Sequence, residues 1–68
     1  MTMREAIRVA VAEPSWVNVE AIEALIPATN PADLEPWEIS VVLLSLRVET
    51  IGDLTQFAIA ARMERATA

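Results

Sequence analysis

The sequence predicts an all-α fold, a compact bundle of about four short helices that forms a single domain over residues 1–68. Apolar residues recur every three to four positions through most of the chain, which is the spacing of one helix face. The four prolines fall between these periodic segments or at their starts, where proline is tolerated. With 54% hydrophobic residues the chain has enough apolar material for a core, and without Cys or His it has no disulfide or ordinary zinc site to support that core.

A capping box marks the start of the first helix, and prolines mark the ends of the first two helices. The segment Thr2–Glu5 has the Thr-x-x-Glu pattern that opens a helix, which we expect over residues 3–12, before Pro14. A second helix is predicted over residues 15–26, because apolar residues continue at helical spacing until Pro27.

A one-turn helix and two longer helices are predicted in the rest of the chain. The one-turn helix lies near residues 31–35, and the third helix covers 36–47, with Pro36 at its first position. The third helix is apolar on nearly all sides, so we expect it to be the central and most buried element. A strand there would have no partner in so short a chain. The segment Thr50–Asp53 is typical of a helix cap and opens a final helix over 51–65.

Negative charge is concentrated in the middle of the chain. The net charge is −5, and residues 13–53 alone hold eight carboxylates against one arginine, which makes −7. Direct binding to nucleic acid depends on Lys and Arg, so this balance disfavours it and favours a basic protein surface as partner, such as that of a nucleic-acid-binding protein. The candidate partner-binding residues are Glu20, Glu23, Asp33, Glu35, Glu38, Glu49 and Asp53. An alternative is that these carboxylates only keep the protein soluble.

The composition argues against an enzyme. The chain has no His, Cys, Lys or Tyr, the side chains that most often act as general bases or nucleophiles near neutral pH. Asp33, Glu35 and Glu38 form the densest acidic cluster, but prolines interrupt it and it lacks the Gly of a calcium-binding loop. We therefore predict no catalytic residue, no metal and no cofactor.

Three apolar side chains form an alternative candidate interface. Trp16 follows Pro14 in the first turn of its helix, while Ile59 and Met63 are one turn apart and lie off the inward stripe of the last helix. Contact through these residues would make the chain a structural or oligomerisation module. We expect a monomer or a small homo-oligomer.

The sequence gives no sign of export or of membrane insertion. Its start lacks the apolar core of a signal peptide, and its most apolar stretch is far shorter than the roughly 20 residues that span a bilayer. We expect a cytoplasmic protein that does not bind membranes.

The run Leu46–Leu54 resembles the L-G-I-x-T-I-G-D-L turn of helix-hairpin-helix domains and of the C-terminal domain of the RNA polymerase alpha subunit. Arg47 stands at the family's first Gly, and Glu49 and Asp53 add negative charge. The resemblance therefore implies the turn geometry and a transcription-related adaptor, and not DNA binding.

The chain is also similar to acyl carrier proteins, which are small, acidic and four-helical, with a T-V-G-D-like entry to the last helix. Those proteins attach phosphopantetheine to a Ser that opens a helix. This resemblance implies a carrier-like bundle, in which Ser40, inside the predicted third helix, is the nearest candidate for modification.

In size and charge the chain looks like phage-encoded inhibitors such as anti-CRISPR proteins, several of which mimic nucleic acid with carboxylates. That resemblance implies a non-catalytic inhibitor or adaptor whose acidic face occupies a basic groove. Three hypotheses follow from the sequence: this inhibitor or adaptor, an apolar oligomerisation module, and a carrier-like protein.

Overall fold

Side-chain caps begin three of the four helices. The computed structural model describes residues 1–68 and contains four α-helices, which are α1 (Met3–Ala12), α2 (Trp16–Leu25), α3 (Pro36–Ser45) and α4 (Ile51–Ala66). Thr2, Ser15 and Thr50 each accept a hydrogen bond from the amide three residues further on. Each cap satisfies one of the amides that a helix start leaves unpaired. The all-α prediction is confirmed.

The predicted helix ends differ from the observed ends mainly at α2 and α3. The second helix leaves the α-form after Leu25, and Ile26–Ala28 form a 3-10 turn. Pro27 lacks the amide that would continue the α-helical ladder, so the chain tightens there. The predicted one-turn helix is a second 3-10 turn, Pro31–Asp33, in which the Asn30 side chain accepts from the amide of Ala32 at 3.0 Å.

The most buried helix is α1. The prediction that the third helix is the most buried element is wrong. Five of the ten core side chains belong to α1, and α3 contributes only Val41 to this apolar core. The apolar residues of α1 share one face, which packs against the other three helices. Helix α3 is apolar on nearly all sides but its neighbours cover only part of it, so Leu43 and, just after the helix, Leu46 remain 55% and 53% exposed.

The helices form two pairs, α1 with α2 and α3 with α4, which contacts of both α1 and α2 join. Helix α1 packs mainly on α2 and α3 mainly on α4, while contacts from α1 to α3 and α4 and from α2 to α3 close the core between the pairs. Ile7, Ala10, Ile22 and Val41 are fully buried at that junction. Trp37 is partly buried at the edge of the core.

Replacing Ile7 with Ala should lower the free energy of unfolding by about 2–5 kcal/mol, because the lost side chain is fully buried and leaves a cavity. A chain of this length has a total stability of roughly 3–10 kcal/mol, so the loss is a large fraction of it. Urea unfolding followed by far-UV circular dichroism measures the change. Val9→Ala, at a position of α1 that is 38% exposed, should change stability by about 0.5 kcal/mol or less. Equal losses in the two variants would contradict the burial of the Ile7 face of α1 against the core.

Candidate functional site

The structure spreads the seven candidate carboxylates over three separate parts of the chain. They lie on α2, around the start of α3, and in the turn before α4 together with the first residues of α4. The start of α3 and that turn are at opposite ends of a ten-residue helix, about 15 Å apart along its axis. Their exposure also differs. Glu20, Asp33, Glu35 and Glu49 are exposed, Glu23 and Asp53 are partly buried, and Glu38 is buried.

Glu38 serves the fold and is not available to a partner. It is 4% exposed, and its Oε1 accepts from Arg4 Nε at 3.2 Å and from the Glu35 amide at 2.7 Å. The carboxylate therefore ties α1 to the first turn of α3. Its spacing from Val41 and Ser45, three and seven positions on, places it on the buried face of α3. That spacing was the sequence signal for this role.

Asp53 closes the cap of α4. Its Oδ2 accepts from the amides of Glu49 and Thr50 at 2.9 and 3.0 Å, and its own amide donates to Thr50 Oγ at 3.1 Å. The hydrogen bond from the Glu49 amide, helped by those from Thr50, holds the pKa of Asp53 below its usual range. At the start of α1, the Thr2 hydroxyl lowers the pKa of Glu5 in the same way.

Glu35 is exposed but oriented by a neighbouring aromatic ring. Trp37 Nε1 donates to Glu35 Oε2 at 2.9 Å, and the guanidinium carbon of Arg65 lies 5.9 Å from the centre of a Trp37 ring. The last turn of α4 therefore lies over the first turn of α3, joined by a cation–π contact. Glu35 keeps one face open to solvent beside this contact.

Arg4 and Glu38 should show a coupling energy of about 1–2 kcal/mol in a double-mutant cycle with Arg4→Met and Glu38→Gln. Glu38 is buried, but the Arg4 side chain is 49% exposed, so solvent screens part of the interaction. Urea unfolding of the four proteins gives the coupling. Strictly additive single losses would show that the pair does not join α1 to α3.

Asp53→Asn should lower the melting temperature at neutral pH and lose this effect in acid. The folded pKa of Asp53 is lowered, so its ionised form stabilises the fold above the unfolded pKa, and this contribution is lost as the pH falls from about 4 through the folded value. Thermal unfolding between pH 7 and pH 2 tests this, with Glu13→Gln at an exposed site as the control. A difference between wild type and Asp53→Asn that persists at the lowest pH would refute the assignment.

The predicted apolar residues are exposed but do not form one surface. Trp16 is 39% exposed on α2, whereas Ile59 and Met63, 50% and 63% exposed, stand on the outer side of α4. Helices α2 and α4 make no extensive contact with each other. Ser40 is partly buried in the second turn of α3 and does not open a helix.

Sequence reasoning missed an apolar groove between α3 and the segment that links it to α2. We call it the α3 groove; it has a volume of about 210 Å³ and is lined by Met3, Ile26, Thr29, Pro31, Leu34, Ile39, Val42, Leu43 and Leu46. A more polar depression of about 490 Å³ adjoins it and shares Met3, Thr29 and Leu34 with it. The sequence shows that the third helix is apolar on nearly all sides, but it does not show which side the other helices leave uncovered.

The size and lining of the α3 groove suit protein side chains. Small-molecule sites usually measure about 300–1,000 Å³ and include a few convergent polar groups, whereas Thr29 is the only hydroxyl-bearing residue of this lining. No three carboxylates of the chain lie close enough together to hold a metal ion. None of the helices is both long and apolar enough to cross a membrane.

No family model matches the chain, and no curated protein or solved structure matches it either. The geometry leaves two surfaces to consider, the apolar outer side of α3 and the exposed carboxylates.

Proposed function

We propose that the chain is a non-catalytic protein-binding module that acts through the outer side of α3. We call this surface the α3 face and define it by Ile39, Leu43 and Leu46. The observation that carries the proposal is the exposure of Leu43 and Leu46, each more than half exposed at the edge of the α3 groove. Contiguous exposed apolar surface on a small protein is typical of an interaction site.

The residue content of the chain supports binding rather than catalysis. No His, Cys, Lys or Tyr is present, and the polar side chains at the helix starts are occupied as caps. The α3 groove offers apolar walls to a side chain from another protein, and burial of such surface contributes about 25 cal/mol per Å². Of the sequence-based hypotheses, this is the structural or oligomerisation module, with a different set of contact residues from the one predicted.

A second candidate function is an acidic inhibitor or adaptor for a basic protein surface, as in nucleic-acid-mimicking inhibitors of the anti-CRISPR type. One observation favours it: Arg4–Glu38 is the single ion pair of the chain, so the carboxylates of Glu20, Asp33 and Glu49 are exposed and uncompensated. Such a surface attracts a basic partner. Its weakness is the separation of these carboxylates along the chain.

Leu43→Glu should abolish capture of partner proteins from a lysate of the cells that produce this chain. The added charge would be buried without a partner in any complex formed through the α3 face. Affinity capture at low salt and at about 0.5 M salt, followed by mass spectrometry, is the measurement, and apolar contact should survive the higher salt.

Val17→Glu is the matched control, since Val17 is 74% exposed on α2 and lines neither the α3 groove nor the depression that adjoins it. It should capture the same proteins as the wild type. If the Leu43→Glu variant still captures the proteins that the wild type captures, the proposal is wrong. If that surviving capture is also lost at about 0.5 M salt and in a Glu20→Gln, Asp33→Asn, Glu49→Gln triple variant, the acidic inhibitor replaces it.

A further inference from the structure

We propose that the occupant of the α3 face is a second copy of this chain, and that two α3 helices pair antiparallel about a two-fold axis beside Val41. This inference rests on the proposed function, which it deepens by naming the partner. It follows from the order of apolar and charged residues along α3 and its two ends.

Two of the three residues of the α3 face exchange places when the helix is reversed about position 41, whereas Leu46 falls opposite the partner's Pro36. Ile39 and Leu43 are one helical turn apart and lie symmetrically on either side of position 41. A two-fold contact requires that residue i of one copy meet residue j of the other and that j meet i. An axis beside Val41 therefore sets Ile39 opposite the partner's Leu43 and Leu43 opposite the partner's Ile39.

The charges at the two ends of α3 fit the same register. Glu35 precedes α3 and is exposed, and Arg47 follows α3 and is exposed. Glu35 and Arg47 lie at equal distances in sequence on either side of position 41. The same axis therefore sets Glu35 of each copy opposite Arg47 of the other, which makes two such contacts in the dimer. Arg47 is the one basic residue among residues 13–53, and it stands at the end of the exposed apolar row.

The α3 groove gives the paired helix a surface to enter. The α3 face forms one wall of the groove, and Ile26, Pro31 and Leu34 form the wall opposite. An exposed Leu43 from the partner would replace water against these apolar walls. Exposed ion pairs contribute little affinity, so Glu35 and Arg47 set the register while apolar burial supplies the attraction.

The expected dimer is weak and depends on concentration. One helix face buries less than the standard interface of about 1,200–2,000 Å², and two chains of charge −5 repel each other at long range. Sedimentation equilibrium of the full chain at about 0.01–1 mM should show the mass rising from 7.4 kDa toward twice that value.

Leu43→Glu should weaken dimerisation at least about tenfold, and Val17→Glu should leave it unchanged. The register has its own test in charge reversal. Glu35→Arg alone places two positive charges at each contact, and Arg47→Glu alone places two negative charges there, so each variant should dimerise less than the wild type. A mixture of these two single variants restores opposite charges at both contacts, and the heterodimer should form more readily than either homodimer. Glu20→Arg controls for the change of net charge in Glu35→Arg, and Arg8→Glu, at an exposed position of α1, controls for the opposite change in Arg47→Glu. Circular dichroism confirms that each variant is folded.

A wild-type chain that stays at 7.4 kDa up to about 1 mM overturns the dimer. If Leu43→Glu still removes captured proteins in that case, the proposed function stands and the occupant is a different protein. A dimer that Leu43→Glu does not weaken overturns the inference as well. If dimerisation depends on Leu43 but the mixture of charge-reversed variants shows no preference for the heterodimer, the antiparallel register is wrong.

Discussion

The apolar face of α1 is the contact on which the rest of the fold depends. This helix supplies Met3, Ala6, Ile7, Ala10 and Val11 to a core of ten side chains, and it touches all three other helices. Conformational entropy opposes the folding of every residue, so a core this small leaves a thin margin. Arg4, on the flank of the same helix, adds the single ion pair, which joins α1 to the start of α3.

The central place of α1 explains what the molecule leaves exposed. Helix α3 packs on all three other helices, but along its outer side it has only the segment that forms the far wall of the α3 groove, so Leu43 and Leu46 stay more than half exposed. The acidic residues are divided in a similar way. Glu5, Glu38 and Asp53 satisfy helix starts, whereas Glu20, Asp33 and Glu49 face solvent without ion pairs. A high content of acidic residues in this chain therefore has two causes, helix capping and surface charge.

The helices could be predicted because their caps depend on residues that are close in sequence. The burial of individual side chains depends on how the helices pack, which the sequence does not show directly. Thr2, Ser15 and Thr50 act through hydrogen bonds within three residues, so caps and prolines located the elements closely. The burial of Glu38 could not be read with the same certainty, because it depends on Arg4, 34 positions away in the chain. The exposure of Leu43 depends on which helix occupies the centre, and periodicity alone does not rank the helices. For the same reason the carboxylates can be read from the sequence and the α3 face cannot.

The position of Trp37 makes its fluorescence a probe of the contact between α3 and α4. Its indole donates to Glu35 and lies beneath Arg65, so its emission senses whether the end of α4 stays on the start of α3. Trp16 stands in the other helix pair, on α2, and is 39% exposed. With one indole in each pair, Trp→Phe variants separate the two fluorescence signals. Intrinsic emission can then reveal whether the α1–α2 and α3–α4 pairs come apart in one cooperative step or in sequence.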